Sequence, residues 1–345
     1  MIAYAIRRLL LLPVVIFGVS VLIFALLSLL GPYKRLSAYV DENLLSHIAG
    51  PEDWDALIHQ YGLDQPIHKQ YWTWIRGVFR GDLGYSRSAQ MPVGEAIAKY
   101  FPVSVELTLM AVIPVVLFAM RLGFFSAAHP NTLADHATRW MAITGWSLPT
   151  FVVGLILLFT FYGLLPWFPP GRISPPFIRV VRSASFVNYT NMLLIDSLAN
   201  RRFDVFLDVL RHLILPVITL SYVSWALIMR VARSTLLNEL RQDYVQTARA
   251  KGLKEKHVLR HAKRNSMISV TTLAGMTVAG LLNGVVITEA IFNYPGVGRF
   301  MATAGLTLDA PAVLGAAILN GAIMVITNLV VDIMYTTLDP RIRLD

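Results

Sequence analysis

The sequence predicts an all-α integral membrane protein with six transmembrane helices and a folded extracytoplasmic loop after the first. Three observations carry this. Hydrophobic residues fill 55% of the 345 positions, and mean hydropathy is +0.57. Charged residues make up 15%, well below the roughly 25% of soluble domains. Several apolar runs exceed the roughly 18 residues that cross a bilayer as a helix.

The first run is Leu9–Leu30, led by Arg7 and Arg8. It is longer than the 7–15 residues of a signal-peptide core. The following Gly31-Pro32-Tyr33-Lys34 is no cleavage site, so the run is expected to remain as a helix. Further spans fall at about 103–127, 140–165, 209–232, 267–290 and 311–331. Pro114 and Pro149 lie inside two of them, where a packing kink is expected. The chain then divides into an N-terminal span (1–31), an extracytoplasmic loop domain (32–102), a core transmembrane domain (103–336) with a cytoplasmic loop at 233–266, and a cytoplasmic tail (337–345).

Lysine and arginine set the orientation. With both termini inside, 14 basic residues fall in about 67 inner positions and 14 in about 139 outer ones. The inner density is twofold higher, as positive-inside topology requires. Loop 32–103 carries Trp54, Tyr61, Tyr71, Trp72, Trp74 and Phe79, the content of a small folded unit rather than a tether. Loop 166–211 opens with Pro166, Pro169, Pro170 and Gly171, a turn-rich exit.

The net charge of +9 would suggest nucleic acid in a soluble protein. Here the basic residues flank apolar runs, so membrane anchoring is expected and nucleic acid is not. With no cysteine, disulfides, thiolate metal sites and cysteine nucleophiles are excluded.

Residues 231–267 are the informative segment. From Ser234 to Lys251 the spacing predicts one helix, with Leu236, Leu237, Leu240, Tyr244, Val245 and Ala248 on one stripe. Lys251 then Gly252 reads as a helix stop. A short basic helix, Lys254–Asn265, follows, with Lys254, Lys256, Arg260, Lys263 and Arg264 against Glu255 alone. Two readings fit: a helix that docks into a groove on a soluble partner, or a basic loop lying on anionic lipid. His257 and His261 stand one turn apart, but no carboxylate or cysteine completes a metal site.

The stretch Asp243-Tyr-Val-Gln-Thr-Ala-Arg-Ala-Lys-Gly-Leu253, followed by His261-Ala-Lys-Arg-Asn265, resembles the cytoplasmic signature loop of ABC importer permeases. It is most similar to the peptide (oligopeptide, dipeptide, nickel) permease group, B-type subunit. Arg7-Arg8-Leu-Leu-Leu-Leu-Pro13, Gly81-Asp-Leu-Gly-Tyr-Ser86, Glu289-Ala-Ile-Phe-Asn-Tyr-Pro-Gly-Val-Gly298 and Leu338-Asp-Pro-Arg-Ile-Arg-Leu344 resemble further family motifs, in the expected order. The family usually has proline shortly after the asparagine, where this chain has Ser269.

The resemblance implies a type I ABC importer permease fold in a bacterial or archaeal plasma membrane. It implies that Thr247, Ala248, Arg249, Ala250 and Gly252 form the loop core and that Leu253–His261, with Lys254, Glu255, His257 and Val258, form an ATPase-coupling helix. Glu289 matches a position beside the outer gate. It implies as partners a second homologous permease, two ATPase subunits, an extracytoplasmic solute-binding protein and membrane lipid. The chain has no Gly-x-x-x-x-Gly-Lys-[Ser/Thr] loop. It is therefore expected to be no enzyme and to hold no cofactor, with ATP and Mg2+ bound by the partner subunits. Oligopeptides or dipeptides are the expected cargo, with oligosaccharides or nickel chelates as the alternative.

Charged residues near the spans are Glu106, Arg121, Arg230, Glu289 and Asp332. Each lies within about two turns of a span end, which favours anchoring or interhelix pairing over substrate contact. Thr271, Thr272, Asn283, Thr288, Asn320 and Thr327 fit either interhelical hydrogen bonds or a translocation path. A secondary transporter would call for repeats and midplane carboxylates, and an intramembrane protease for a serine–histidine or paired-aspartate constellation. Neither pattern is present.

Overall fold

The computed structural model describes residues 2–36 and 51–338. The chain is mostly helical. Its helices are α1 (Ile2–Ser28), α2 (Gly31–Leu36), α3 (Pro51–Gln60), α4 (Ile67–Phe79), α5 (Val93–Ala128), α6 (Leu133–Ser147), α7 (Thr150–Leu158), α8 (Pro175–Val181), α9 (Leu193–Ala199), α10 (Phe203–Glu239), α11 (Asp243–Ala250), α12 (Glu255–Ile291), α13 (Val297–Leu306) and α14 (Ala310–Leu338). A two-stranded hairpin, β1 (Tyr85–Ser86) and β2 (Met91–Pro92), precedes α5. The chain divides into two compact units, one of residues up to Pro102 with Gly296–Val330, the other of Val103–Pro295 with the segment from Val331.

In the first unit α1 packs on α4. Phe24 meets Tyr71 edge-on at 5.4 Å, and the Ser20 and Tyr71 hydroxyls lie 2.8 Å apart. Such an aromatic edge contact contributes about 0.5–1.5 kcal/mol beyond its buried area. Leu36, Ile58 and Leu63 make a small core of their own. The Gly81–Ser86 motif closes on the residues that start α14. There the buried Asp309 carboxylate accepts from the Ser86 hydroxyl (2.8 Å) and from the amide and hydroxyl of Ser88 (2.9 and 2.8 Å).

The second unit is built around α10, which packs against α6, α7, α9 and α12. Its core runs through Leu107, Val115, Val209, Leu213, Ile228, Leu236, Val258 and Val270. Two glycines set the closest approaches. A Cβ on Gly123 would lie 2.6 Å from the Met229 carbonyl, and one on Gly145 would lie 2.7 Å from the Ala226 Cβ.

Among the described residues three helices are long and apolar enough to cross a membrane, or up to five if each bent pair counts as one span. The predicted run 140–165 is not a kinked helix. It breaks by 108° between α6 and the segment Thr150–Leu164, which ends in a π-helical turn, Phe159–Leu164. Pro149 clashes with a helical conformation at the residue before it, and Leu148 is accordingly extended (φ −97, ψ 128). Pro114, by contrast, lies inside an unbroken helix, while α10, which contains Pro216, bends by 50° between Tyr222 and Ser224.

Two boundaries in the 231–267 segment also differ from expectation. The helix predicted over 234–251 is split at residues 240–242, where Gln242 turns extended (φ −74, ψ 152) and starts α11. The short basic helix and the fifth apolar run are one helix, α12. No glycine or proline stands between Leu253 and Gly275 to stop it. The side chains of Asn283 and Asp332, and the C-terminal motif beyond Leu338, lie outside the described residues.

Candidate functional site

The segment Asp243–Asn265 forms a helix–turn–helix whose turn is closed by backbone geometry. Gly252 sits at φ +75, the left-handed region that glycine enters at no steric cost. The Leu253 amide donates to the Ala248 carbonyl (3.2 Å) and the Gly252 amide to the Arg249 carbonyl (2.9 Å). This is the six-to-one and five-to-two pattern of a Schellman cap, and it satisfies the last carbonyls of α11.

Val245, Val258 and Ala262 are buried beneath the turn in the core that contains Leu236. They fix α11 against the first turns of α12. Across the turn Arg249 holds Glu255 with two bonds, Nη2 to Oε1 at 2.7 Å and Nε to Oε2 at 3.2 Å. The bidentate guanidinium holds the Glu255 carboxyl below its ordinary range. Glu255 also occupies the first turn of α12, where the helix dipole favours negative charge. Tyr244 donates to Glu239 Oε2 at 2.6 Å, and burial followed by that carboxylate pushes its hydroxyl pKa up.

Between these elements lies a groove of about 500 Å³ lined by Tyr244, Val245, Thr247, Ala248, Lys251, Leu253, Val258 and His261. Five of the residues singled out from the sequence, Thr247, Ala248, Leu253, Val258 and His261, therefore share one surface feature. Arg249 and Glu255 pair beside it. Ala250, Lys254 and His257 point outward elsewhere and are exposed, and Gly252 makes the turn. Tyr244, Val245 and Lys251 are groove residues that the sequence reading did not single out as sites. Tyr244 and Val245 were visible as members of the apolar stripe and of the 243–253 stretch. Among the described residues no group of three or more histidine, aspartate or glutamate side chains is placed to hold a metal.

Behind the loop, α10 is anchored by an ion pair that sequence reasoning missed. Arg233 binds Asp135 through Nε–Oδ1 (2.7 Å) and Nη2–Oδ2 (2.9 Å). Asp135 is fully buried and also accepts from the Ser126 hydroxyl and the Asn131 amide. The available signal was the Thr132-x-x-Asp135 spacing of a helix start: Thr132 caps α6 and accepts from the Asp135 amide.

A second polar cluster lies far along α12. Glu106 pairs with Arg172 at 2.9 Å and accepts the Leu194 amide at 2.6 Å. Buried Glu289 accepts from the Ser104 hydroxyl. Anchoring or interhelix pairing was the expectation for Glu106; it is paired, but its charged partner Arg172 lies in the loop before α8 rather than on another helix. Arg230 instead lies over the Trp146 ring, 5.2 Å from its centroid. Thr271 and Thr272 each donate to the carbonyl four residues back on their own helix, at 2.6 and 2.9 Å. His212 approaches Ser174 at 3.0 Å through Nε2, but its Nδ1 faces the Gly171 carbonyl rather than a carboxylate. That arrangement ties a loop to α10 and lacks the orienting acid of a catalytic triad.

A helical chain with apolar spans and a charged helix–turn–helix between two of its long helices defines a multi-pass membrane protein with a built surface groove. Residues 119–344 match the family of binding-protein-dependent transport system inner membrane components, and residues 1–108 match the N-terminal part of such components. The chain belongs to this family. It is the permease subunit of an ABC importer, a transport subunit of the inner membrane and not an enzyme. Similar proteins include a probable D,D-dipeptide transport system permease protein of Escherichia coli K12, 37% identical over 342 residues (96% of this chain, 94% of the relative). A di/tripeptide transport system permease protein of Pseudomonas aeruginosa UCBPP-PA14 is 36% identical over 345 residues, 99% of each chain. The dipeptide transport system permease protein of Escherichia coli K12 is 34% identical over 347 residues, again 99% of each.

Proposed function

We propose that this chain forms half of a translocation pathway for dipeptides or oligopeptides and is driven through its 243–265 loop. In this reading it has six spans and cytoplasmic termini, and residues 32–102 form an extracytoplasmic loop domain. An extracytoplasmic binding protein delivers the peptide, and a second homologous permease completes the pathway. Two ATPase subunits bind ATP and Mg2+, and this chain holds no cofactor. The names of the relatives support the peptide substrate. Nothing in the site favours oligosaccharides, nickel chelates or ion-coupled secondary transport.

The observation that carries the coupling role is the groove beside the capped Gly252 turn, with the first residues of α12 as one wall. Because α12 continues without a break from Glu255 to Ile291, a push on its first turn is delivered to the whole helix. Glu289 lies near the far end of that same helix, bonded to Ser104 on α5. Movement of α12 would therefore strain that bond, and this is how the loop would reach the outer gate.

The test is ATPase-subunit retention and substrate-stimulated hydrolysis in the purified assembly. Gly252→Pro and Leu253→Asp are expected to abolish one or both while the chain still purifies as a folded membrane protein. An assembly in which both variants retain wild-type stimulation would remove the loop from the coupling role.

A further inference from the structure

Where α6 crosses α10 the structure leaves a half-open cavity of about 430 Å³ whose wall is both charged and apolar. Arg139, Arg230 and Arg233 line it together with Ile143, Trp146 and Met229. Arg139 and Arg233 face one buried carboxylate, Asp135, and with Arg230 also lining the cavity the three guanidinium groups leave a surplus of two positive charges. Arg233 is committed to that carboxylate at 2.7 Å. Arg139 is 3.8 Å from it, too long for a hydrogen bond. Its Nη2 meets His136 Nδ1 at 2.6 Å, but its buried Nε–H has no hydrogen-bond partner. Arg230 has the Trp146 ring beneath it and is otherwise open to the cavity. Surplus charge next to a buried, unpartnered donor calls for an anion.

The position of the cavity identifies the anion. Arg139 immediately precedes the apolar run 140–165, and Arg230 lies two residues from the end of the run 209–232. Trp140 and Trp146, beside them, are 67% and 57% exposed, as in the indole belts found where a membrane protein meets lipid headgroups. Ile143 is likewise 57% exposed on the apolar side. We propose that this cavity is a binding site for an anionic phospholipid, with its phosphate between Arg139 and Arg230 and an acyl chain along Ile143 and Trp146. The planar guanidinium fork matches a phosphodiester in two bonds. A free inorganic phosphate would satisfy the arginines but would leave the apolar wall unused, which is why the lipid is favoured.

The experiment uses the full-length chain, purified in detergent with its co-purifying subunits, and native mass spectrometry against phosphatidylglycerol, phosphatidylcholine and inorganic phosphate in turn. Wild type is expected to keep one phosphatidylglycerol through delipidation and to lose phosphatidylcholine. Millimolar phosphate is expected not to displace the lipid. The double variant Arg139→Gln/Arg230→Gln is expected to bind phosphatidylglycerol roughly 25-fold more weakly, about fivefold per arginine. Size-exclusion elution identifies a double variant that fails to fold; Arg230→Lys, which keeps the charge and loses the fork, is then the second probe and is expected to fall between the two. A photocrosslinker in place of Ile143 reads the apolar wall of the cavity and is expected to label lipid. Equal retention of both lipids, displacement by phosphate, unchanged affinity in the arginine variants, or crosslinking to a second permease instead of lipid would each overturn the assignment.

Discussion

Two ion pairs in the second unit use the same chemistry to opposite ends. Asp135 and Arg233 tie the first turn of α6 to the last turns of α10, with the carboxylate fully buried and a quarter of the arginine exposed (23%). Arg249 and Glu255 bridge the Gly252 turn with both side chains about half exposed (46% and 57%). The first pair closes a network of four donors and fixes how helices cross. The second lies on the rim of a groove that stays open. Fixed geometry is placed behind the loop, and the loop itself is held mainly by its backbone cap and by Val245 and Val258 beneath it. Such a division suits an element that must be rigid inside and accessible outside.

The contrast between the pairs breaks first at Asp135. Asp135→Ala leaves Ser126 and the Asn131 amide without their acceptor, and Arg233 with only the Ser126 hydroxyl at 3.1 Å. The expected loss is about 3 kcal/mol, at the low end for a broken buried pair because Arg233 reaches solvent. Denaturant unfolding in detergent measures it, and a loss no larger than that of Arg249→Ala would erase the distinction between the two pairs.

Gly123→Ala tests the packing that the buried pair supports. Its new methyl would meet the Met229 carbonyl at 2.6 Å and the Ala232 Cβ at 2.7 Å. Overpacking of this kind costs about 1–3 kcal/mol, to be read as a lowered midpoint of thermal unfolding. A neutral result would mean that α5 and α10 slide apart without penalty.

At the turn, Gly252→Ala meets no neighbour within 4 Å, so only the positive φ opposes it. That strain is roughly 1–2 kcal/mol. Gly252→Asn should lose less, because asparagine tolerates the left-handed region. The ranking wild type, then the asparagine variant, then the alanine variant in unfolding midpoint sharpens the claim that backbone rather than side-chain packing closes the loop.

The smallest effect is expected at the exposed pair. Glu255→Gln should change stability by no more than about 0.5 kcal/mol and less at high salt. Its pH dependence has a defined sign. The folded carboxyl titrates below its unfolded value of 4.5, so the contribution is full above that value. It is lost as pH falls through the lower folded pKa. Unfolding midpoints from pH 7 to 3, compared between wild type and Glu255→Gln, should converge at the acid end. Curves that diverge there would reverse the assignment.

The two halves of the loop differed in how far they could be read from sequence. The helix stop at Lys251–Gly252 was legible because a left-handed cap is decided by a single residue's sterics. The break at 240–242 was not, since Leu236, Leu237, Leu240 and Tyr244 keep a helical stripe straight through it. The run 140–165 misled for a related reason. Hydropathy reports apolarity and is silent about direction, so Pro149 could be placed as a kink while the chain turns by 108°. Five of the named loop residues line the groove; Tyr244, Val245 and Lys251 also line it, and although they lie in the 243–253 stretch, helical periodicity and the helix stop were the only signals they gave.

By itself the sequence determined that this chain lives in a membrane, where its apolar runs begin and that a glycine-capped basic loop interrupts them. Those are local and additive properties: burial of apolar surface, helix period and backbone sterics are summed over neighbours along the chain. Tertiary structure alone decided that Asp135 meets Arg233 from 98 positions away and that Glu106 meets Arg172 from 66. It also decided that α12 runs unbroken from the loop into the apolar core, and that a charged cavity opens where α6 crosses α10. Each depends on which helix faces bury together, and pairing across such distances leaves no periodic trace in the sequence.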